Sequence, residues 1–127
     1  MSGGFVTARL GAGPDAIAPD GSEVRLLASA SRGSMAHFRL ASGSVSLAVV
    51  HRTVEELWYF TGGQGRMWRA AEDGEEVIDV GPGVSIAIAA GTRFQFRWDG
   101  DAPLEAVGVT MPPWPGMDEA TRVQGIW

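Results

Sequence analysis

Along much of this chain apolar and polar residues alternate with a period of two, and glycine, proline, serine or aspartate clusters interrupt the alternation at short intervals. A period of two sends successive side chains to opposite faces, so these stretches are predicted to be β-strands joined by tight turns. The alternation is clearest in two places. Glu56, Trp58 and Phe60 share one face of a strand whose other face carries Leu57 and Tyr59. In Arg93 to Trp98, Arg93, Gln95 and Arg97 face one way while Phe94, Phe96 and Trp98 face the other. Met35 to Leu40 follows the same rule, with His37 and Arg39 opposed to Phe38 and Leu40.

Further strands are expected at Glu23 to Ser29, Arg66 to Ala70, Glu76 to Val80, Val84 to Ala89 and Leu104 to Met111, with a short edge strand over Phe5 to Leu10. Asp73-Gly74 is a hairpin signal, because a tight two-residue turn needs positive φ. Gly11 to Gly21, with Pro14 and Pro19, reads as a surface excursion. Pro112 to Gly116 is a stiff, extended strip carrying Trp114. It suits a lid, a plug at a barrel mouth or a subunit contact; the alternative is a tail laid over the outer surface with Trp114 and Trp127 as anchors. A short helix is expected near Asp118 to Arg122. No repeat, heptad or long helical period is present, so the fold class is all-β and closed or nearly closed.

A length of 127 residues fits a single domain, with a core barrel over about 23–111, an N-terminal extension over 1–22 and a tail over 112–127. The net charge is −5, and all ten cations are arginines with no cluster among them, which argues against nucleic acid or an anionic membrane as a partner. Without cysteine there is no disulfide, thiolate metal site or cysteine nucleophile. The Met-Ser-Gly-Gly start lacks signal-peptide character and no apolar run approaches the ~20 residues of a membrane span, so the expectation is a soluble, cytoplasmic protein.

Chemistry concentrates in His51 to Gly65. Glu56 shares a strand face with two large aromatics, an expensive place for an unpaired charge, so it needs a partner, a proton or a wet cavity. The spacing of Val49, His51, Glu56 and Gly63 resembles the first motif of the cupin superfamily, which places two histidines one residue apart before a glutamate and a glycine. Val49 stands where the first histidine belongs. Gly83 and Gly91 fit the glycines of the second cupin motif, whereas Ala89, Phe94 and Trp98 replace its proline, metal-binding histidine and asparagine. The resemblance implies a double-stranded β-helix, the cupin or jelly-roll barrel, and a homodimer. It also implies a metal site of three histidines and a glutamate, of which His51 and Glu56 remain.

Three functions follow as expectations. The leading one is a small-molecule cupin that holds an apolar or aromatic ligand against Trp58, Phe60, Phe94 and Phe96. There His51 and Glu56 would act as an acid–base pair in isomerase-, lyase- or cyclase-like chemistry, with no tightly held metal. The second is a mononuclear metalloenzyme in which His37 or Gln95 joins His51 and Glu56 around Fe, Mn, Ni or Zn. Gln95 starts on the wrong face for that and needs a β-bulge to re-aim it. The third is a non-catalytic binding or sensing module. In any of these, His51 and Glu56 can also be read as a structural pair bonded to one another.

Overall fold

A two-residue turn, Glu72-Asp73, one position earlier than the Asp73-Gly74 signal suggested, joins β6 (Gly65–Ala71) to β7 (Gly74–Val80), and the pair zips antiparallel from Ala71 opposite Gly74 to Gly65 opposite Val80. In the computed structural model, which describes residues 5–127, this hairpin is one edge of a five-stranded sheet ordered β11-β4-β9-β6-β7. The other members are β4 (Val49–His51), β9 (Arg93–Trp98) and β11 (Ala120–Arg122). A six-stranded sheet faces it, ordered β1-β2-β3-β10-β5-β8, from β1 (Ala16–Ile17), β2 (Glu23–Ser29), β3 (Ser34–Leu40), β5 (Glu55–Gly62), β8 (Ser85–Ile88) and β10 (Leu104–Met111).

The core forms where the inner faces meet. Trp58, Phe60, Ile86, Ile88 and Leu104 from one sheet pack against Val49, Met67, Val80, Phe94 and Phe96 from the other, all nearly inaccessible to solvent. Burying such a set is the main drive to fold. Gly108 in β10 lies opposite Trp58, and a Cβ there would come within 2.6 Å of the Phe38 ring. Its bare backbone therefore leaves room for Phe38 and Trp58 to stack at 5.0 Å.

A second, smaller cluster lies on the outer side of the five-stranded sheet, where Val123 and Trp127 cover Ala48, Trp68 and Ala70. Gln95 holds this covering in place. Its Oε1 accepts from the backbone N–H groups of Ile126 at 3.0 Å and Trp127 at 3.1 Å, and its Nε2 donates to the Ser46 carbonyl at 2.9 Å. Arg66 and Arg97 each place a guanidinium 5.7 Å from the Trp127 ring.

The alternating strands lie where their periodicity put them, and three expectations are corrected. Phe5 to Leu10 forms no strand and is exposed. Gly11 to Gly21 is more than a surface excursion, because it contributes β1, which pairs with β2, and the buried Asp20. In place of a helix near Asp118 to Arg122 there is a 3₁₀ turn, Met117–Glu119, followed by β11 pairing antiparallel with β4. Sheet pairing outside the barrel overrides the weak helical tendency of so short a segment.

Candidate functional site

Between the two sheets, toward the end where β1 and β2 meet β4, lies a cavity of about 430 Å³. His51 projects into it from β4, and Glu56 and Trp58 from alternate positions of β5. His51 Nδ1 stands 3.2 Å from Glu56 Oε2, with the two side chains only 6% and 3% exposed. The approach is not an aligned hydrogen bond, and Nδ1 is left without a partner. Phe94 meets the imidazole edge-on from one side at 5.2 Å and Trp114 from another at 5.1 Å. Phe38, stacked on Trp58, completes the aromatic lining.

Trp114 is held beside the imidazole by Ser34, whose Oγ accepts from the Trp114 N–H at 3.0 Å. The same hydroxyl bonds Thr110, which faces Glu56 across β10 and β5. Trp114 is thus a plug at the cavity mouth, while Trp127 is an anchor on the outer surface. The two tail readings each apply to one of the two tryptophans.

Glu119 fixes the loop that follows His51. Its carboxylate accepts from the Thr53 N–H, from Thr53 Oγ1 at 2.8 Å and from the Val54 N–H at 2.9 Å, and its carbonyl accepts from Arg52 N. Burial pushes the Glu119 carboxyl up, but these three bonds and the nearby His51 outweigh it and hold it down at about 2. Glu119→Ala leaves the buried Val54 N–H without an acceptor, at roughly 1–3 kcal/mol, and removes two part-buried bonds from Thr53. The expected result is a loss of about 2–4 kcal/mol of stability, read as a lower urea midpoint. Since the folded carboxyl lies below its unfolded value, this contribution is full above about pH 4.5 and is lost as pH falls toward about 2.

A residue that the sequence did not single out also belongs to the site. Asp20, 6% exposed, lies in the cavity wall, with Oδ1 accepting from Ser22 N–H at 2.9 Å and Ser22 Oγ at 2.6 Å. Burial raises its carboxyl against the pull of those bonds. Burial likewise drives Glu56 up to about 7. The Trp58 indole N–H lies near enough to favour the Glu56 anion without closing a hydrogen bond to it, and the charge of Asp20 pushes the other way. His51 is lowered by desolvation, opposed by the charge of Glu119. Near neutrality the pair therefore carries a neutral imidazole beside a carboxyl that readily gains or loses its proton.

Not every predicted site residue converges here. Phe60 and Phe96 share the inner face but sit in the packed core away from the cavity lining. His37 lies on the outer face of its sheet, paired with Arg25 across β2 and β3, its Nε2 3.1 Å from Glu105 Oε1. Arg25 in turn binds the Gly11 and Ala12 carbonyls, so the N-terminal segment crosses this face and His37 is buried outside the barrel. Gln95 keeps the regular register of β9 against β6 and is engaged by the tail. Neither His37 nor Gln95 completes a ligand set around His51.

The donors present do not fit a tightly bound metal. Val49 and Phe94, at the two positions where the resemblance calls for histidine, are direct cross-strand partners on β4 and β9 and both line the cavity. Among the described residues no group of three histidine, cysteine, aspartate or glutamate side chains gathers in metal-binding geometry. Two protein ligands fall short of the three that catalytic centres usually supply.

Two facing antiparallel sheets with a cavity between them, lined by a histidine–glutamate pair, define a double-stranded β-helix barrel. The Cupin domain family model matches residues 36–110, and the chain belongs to that family. No curated protein matches the sequence. Among solved structures the chain is similar to an uncharacterized conserved protein with a double-stranded β-helix domain from Klebsiella pneumoniae, at 14% identity and TM-score 0.68 over 98% of this chain and 100% of that one. It is similar to Streptomyces PAC13, solved with uridine, at 16% identity and TM-score 0.67 over 85% and 82%. Bacillus subtilis oxalate decarboxylase matches at 17% identity and TM-score 0.72 over 80% of this chain, which spans only 28% of that enzyme. At such identities the likeness speaks for the fold.

Proposed function

We propose that this chain is a small-molecule cupin that binds an apolar or aromatic ligand in its barrel and moves a proton on it with His51 and Glu56, without a tightly held metal. The observation that carries this is the 3.2 Å approach of His51 Nδ1 to Glu56 Oε2 at the wall of an aromatic cavity. One member of such a pair removes a proton from a bound carbon or hydroxyl acid and the other returns one at a neighbouring atom, the step common to isomerisation, dehydration and ring closure. Trp58, Phe94 and Trp114 exclude water from the exchange and offer flat faces to the ligand. That Streptomyces PAC13 was solved with uridine supports a small organic guest on this fold.

The test is proton exchange in heavy water against a panel of aromatic hydroxy-ketones, with chelator present and mass spectrometry as the readout. Wild-type protein is expected to catalyse deuterium uptake or loss of water, and His51→Ala and Glu56→Gln each to lower the rate by about 10²–10⁴-fold. Turnover that appears only when a divalent metal is added would overturn the metal-free reading. Ligands that bind without exchange, and whose binding survives both substitutions but not Trp58→Ala, would identify a binding module instead.

A further inference from the structure

The charges around the cavity are one-sided. Asp20 and Glu56 both line it, and no arginine does; the chain has no lysine. Both carboxylates belong to residues less than a tenth exposed, and among the described residues neither has an arginine partner. Both bonds from Ser22 go to Asp20 Oδ1, and among the described residues no donor reaches Oδ2. The one basic group beside Glu56 is His51, and burial disfavours its protonated form.

The rest of the lining fits a cation with an apolar body. Phe38, Trp58, Phe94 and Trp114 line the cavity around the pair, and aromatic rings attract ammonium groups that approach their faces. Ile17, Leu26 and Met35 stand exposed at the mouth, an apolar rim for an apolar chain or ring. The buried Trp58 N–H and His51 Nδ1 both lack partners and belong to the lining, so polar groups there await something other than protein.

Resting on the reading of this cavity as a ligand site, we infer that it selects an organic amine: an aromatic or branched apolar body carrying an ammonium group that faces Asp20 and Glu56. The same field opposes carboxylate ligands. A dicarboxylate such as oxalate would meet two acidic side chains and no arginine clamp, so the likeness to oxalate decarboxylase does not extend to its substrate class.

Three probes of one shape test this: 3-phenylpropylamine, 3-phenyl-1-propanol and 3-phenylpropanoate, titrated calorimetrically into the intact protein near neutral pH and low salt. The amine is expected to bind at least about tenfold more tightly than the alcohol, and the carboxylate more weakly than either. Asp20→Asn, close to isosteric, is expected to remove most of the amine's advantage over the alcohol. Equal binding of amine and alcohol, or carboxylate binding as tight as the amine's, overturns the inference while the cavity remains a ligand site. Failure of all three probes to bind overturns the inference and the ligand-site reading together. The wild-type comparison decides the matter even if Asp20→Asn does not fold.

Discussion

Glu56→Gln is expected to stabilise the protein near pH 8 by about 3 kcal/mol and to leave it unchanged near pH 4, although it removes the carboxylate of the buried His51–Glu56 pair. The Glu56 carboxyl, ordinarily at 4.5, is raised to about 7 in the folded chain, mainly by burial. A folded state that holds a proton more tightly than the unfolded chain is most stable where both are protonated, below about 4.5. It loses that stability as pH rises to about 7, at about 1.4 kcal/mol per pKa unit. Glutamine mimics the protonated carboxyl in shape and cannot ionise, so the variant escapes the loss. Asp20 is also raised and adds to the wild-type decline in the same direction, whereas the lowered His51 works against stability on the acid side of its ordinary value. Both remain in the variant, so the difference between the two proteins isolates Glu56. Urea unfolding of each across this range is the measurement. A difference that does not change with pH, or a wild type more stable near pH 8, would show that the carboxylate is not held in a desolvated site.

The second large effect concerns metal. Because Val49 and Phe94 are paired directly across β4 and β9, with His51 two residues from Val49 on the same face, Val49→His with Phe94→His gathers three imidazoles and the Glu56 carboxylate around one point. Three or four such donors suffice for a mononuclear transition-metal centre. The double variant, grown in metal-supplemented medium and passed over a desalting column, is expected to retain close to one equivalent of divalent ion. The wild type under the same treatment is expected to retain less than about a tenth, because two donors hold such ions weakly. Elemental analysis reads both. Full loading of the wild type would refute the assignment of Val49 and Phe94 as the positions that remove metal. Failure of the folded double variant to load would show that the barrel no longer converges on that point.

Much of this arrangement was legible in the alternation of side chains. A period of two fixes which face a residue takes, so Glu56 and Trp58 were placed together correctly, and Gln95 was correctly set against Phe94. Periodicity does not fix depth along the barrel. Phe60 and Phe96 share the right faces, yet core packing takes them and the cavity takes Phe94 and Trp58. It also cannot say what covers an outer face: the N-terminal segment buries His37, and the tail buries Gln95. Asp20 was hidden for a different reason. It stands between proline and glycine after a two-residue strand too short for any pattern, and only tertiary contact brings it inward. The one signal in the sequence was Asp20-Gly21-Ser22, whose hydroxyl two residues on suits a local turn around a carboxylate.

One of the two acidic groups of the cavity, one of its aromatic walls and the carboxylate that holds the loop after His51 come from outside the stretch that the family shares. Asp20 precedes the stretch 36–110 shared with the family, and Trp114 and Glu119 follow it. The shared barrel resembles a socket, and the flanking segments are its fittings. On the proposed reading, changes in those fittings are expected to alter what the socket accepts. Relatives that agree throughout the barrel can therefore serve chemically unrelated guests, and inheritance of the barrel predicts shape far better than it predicts diet.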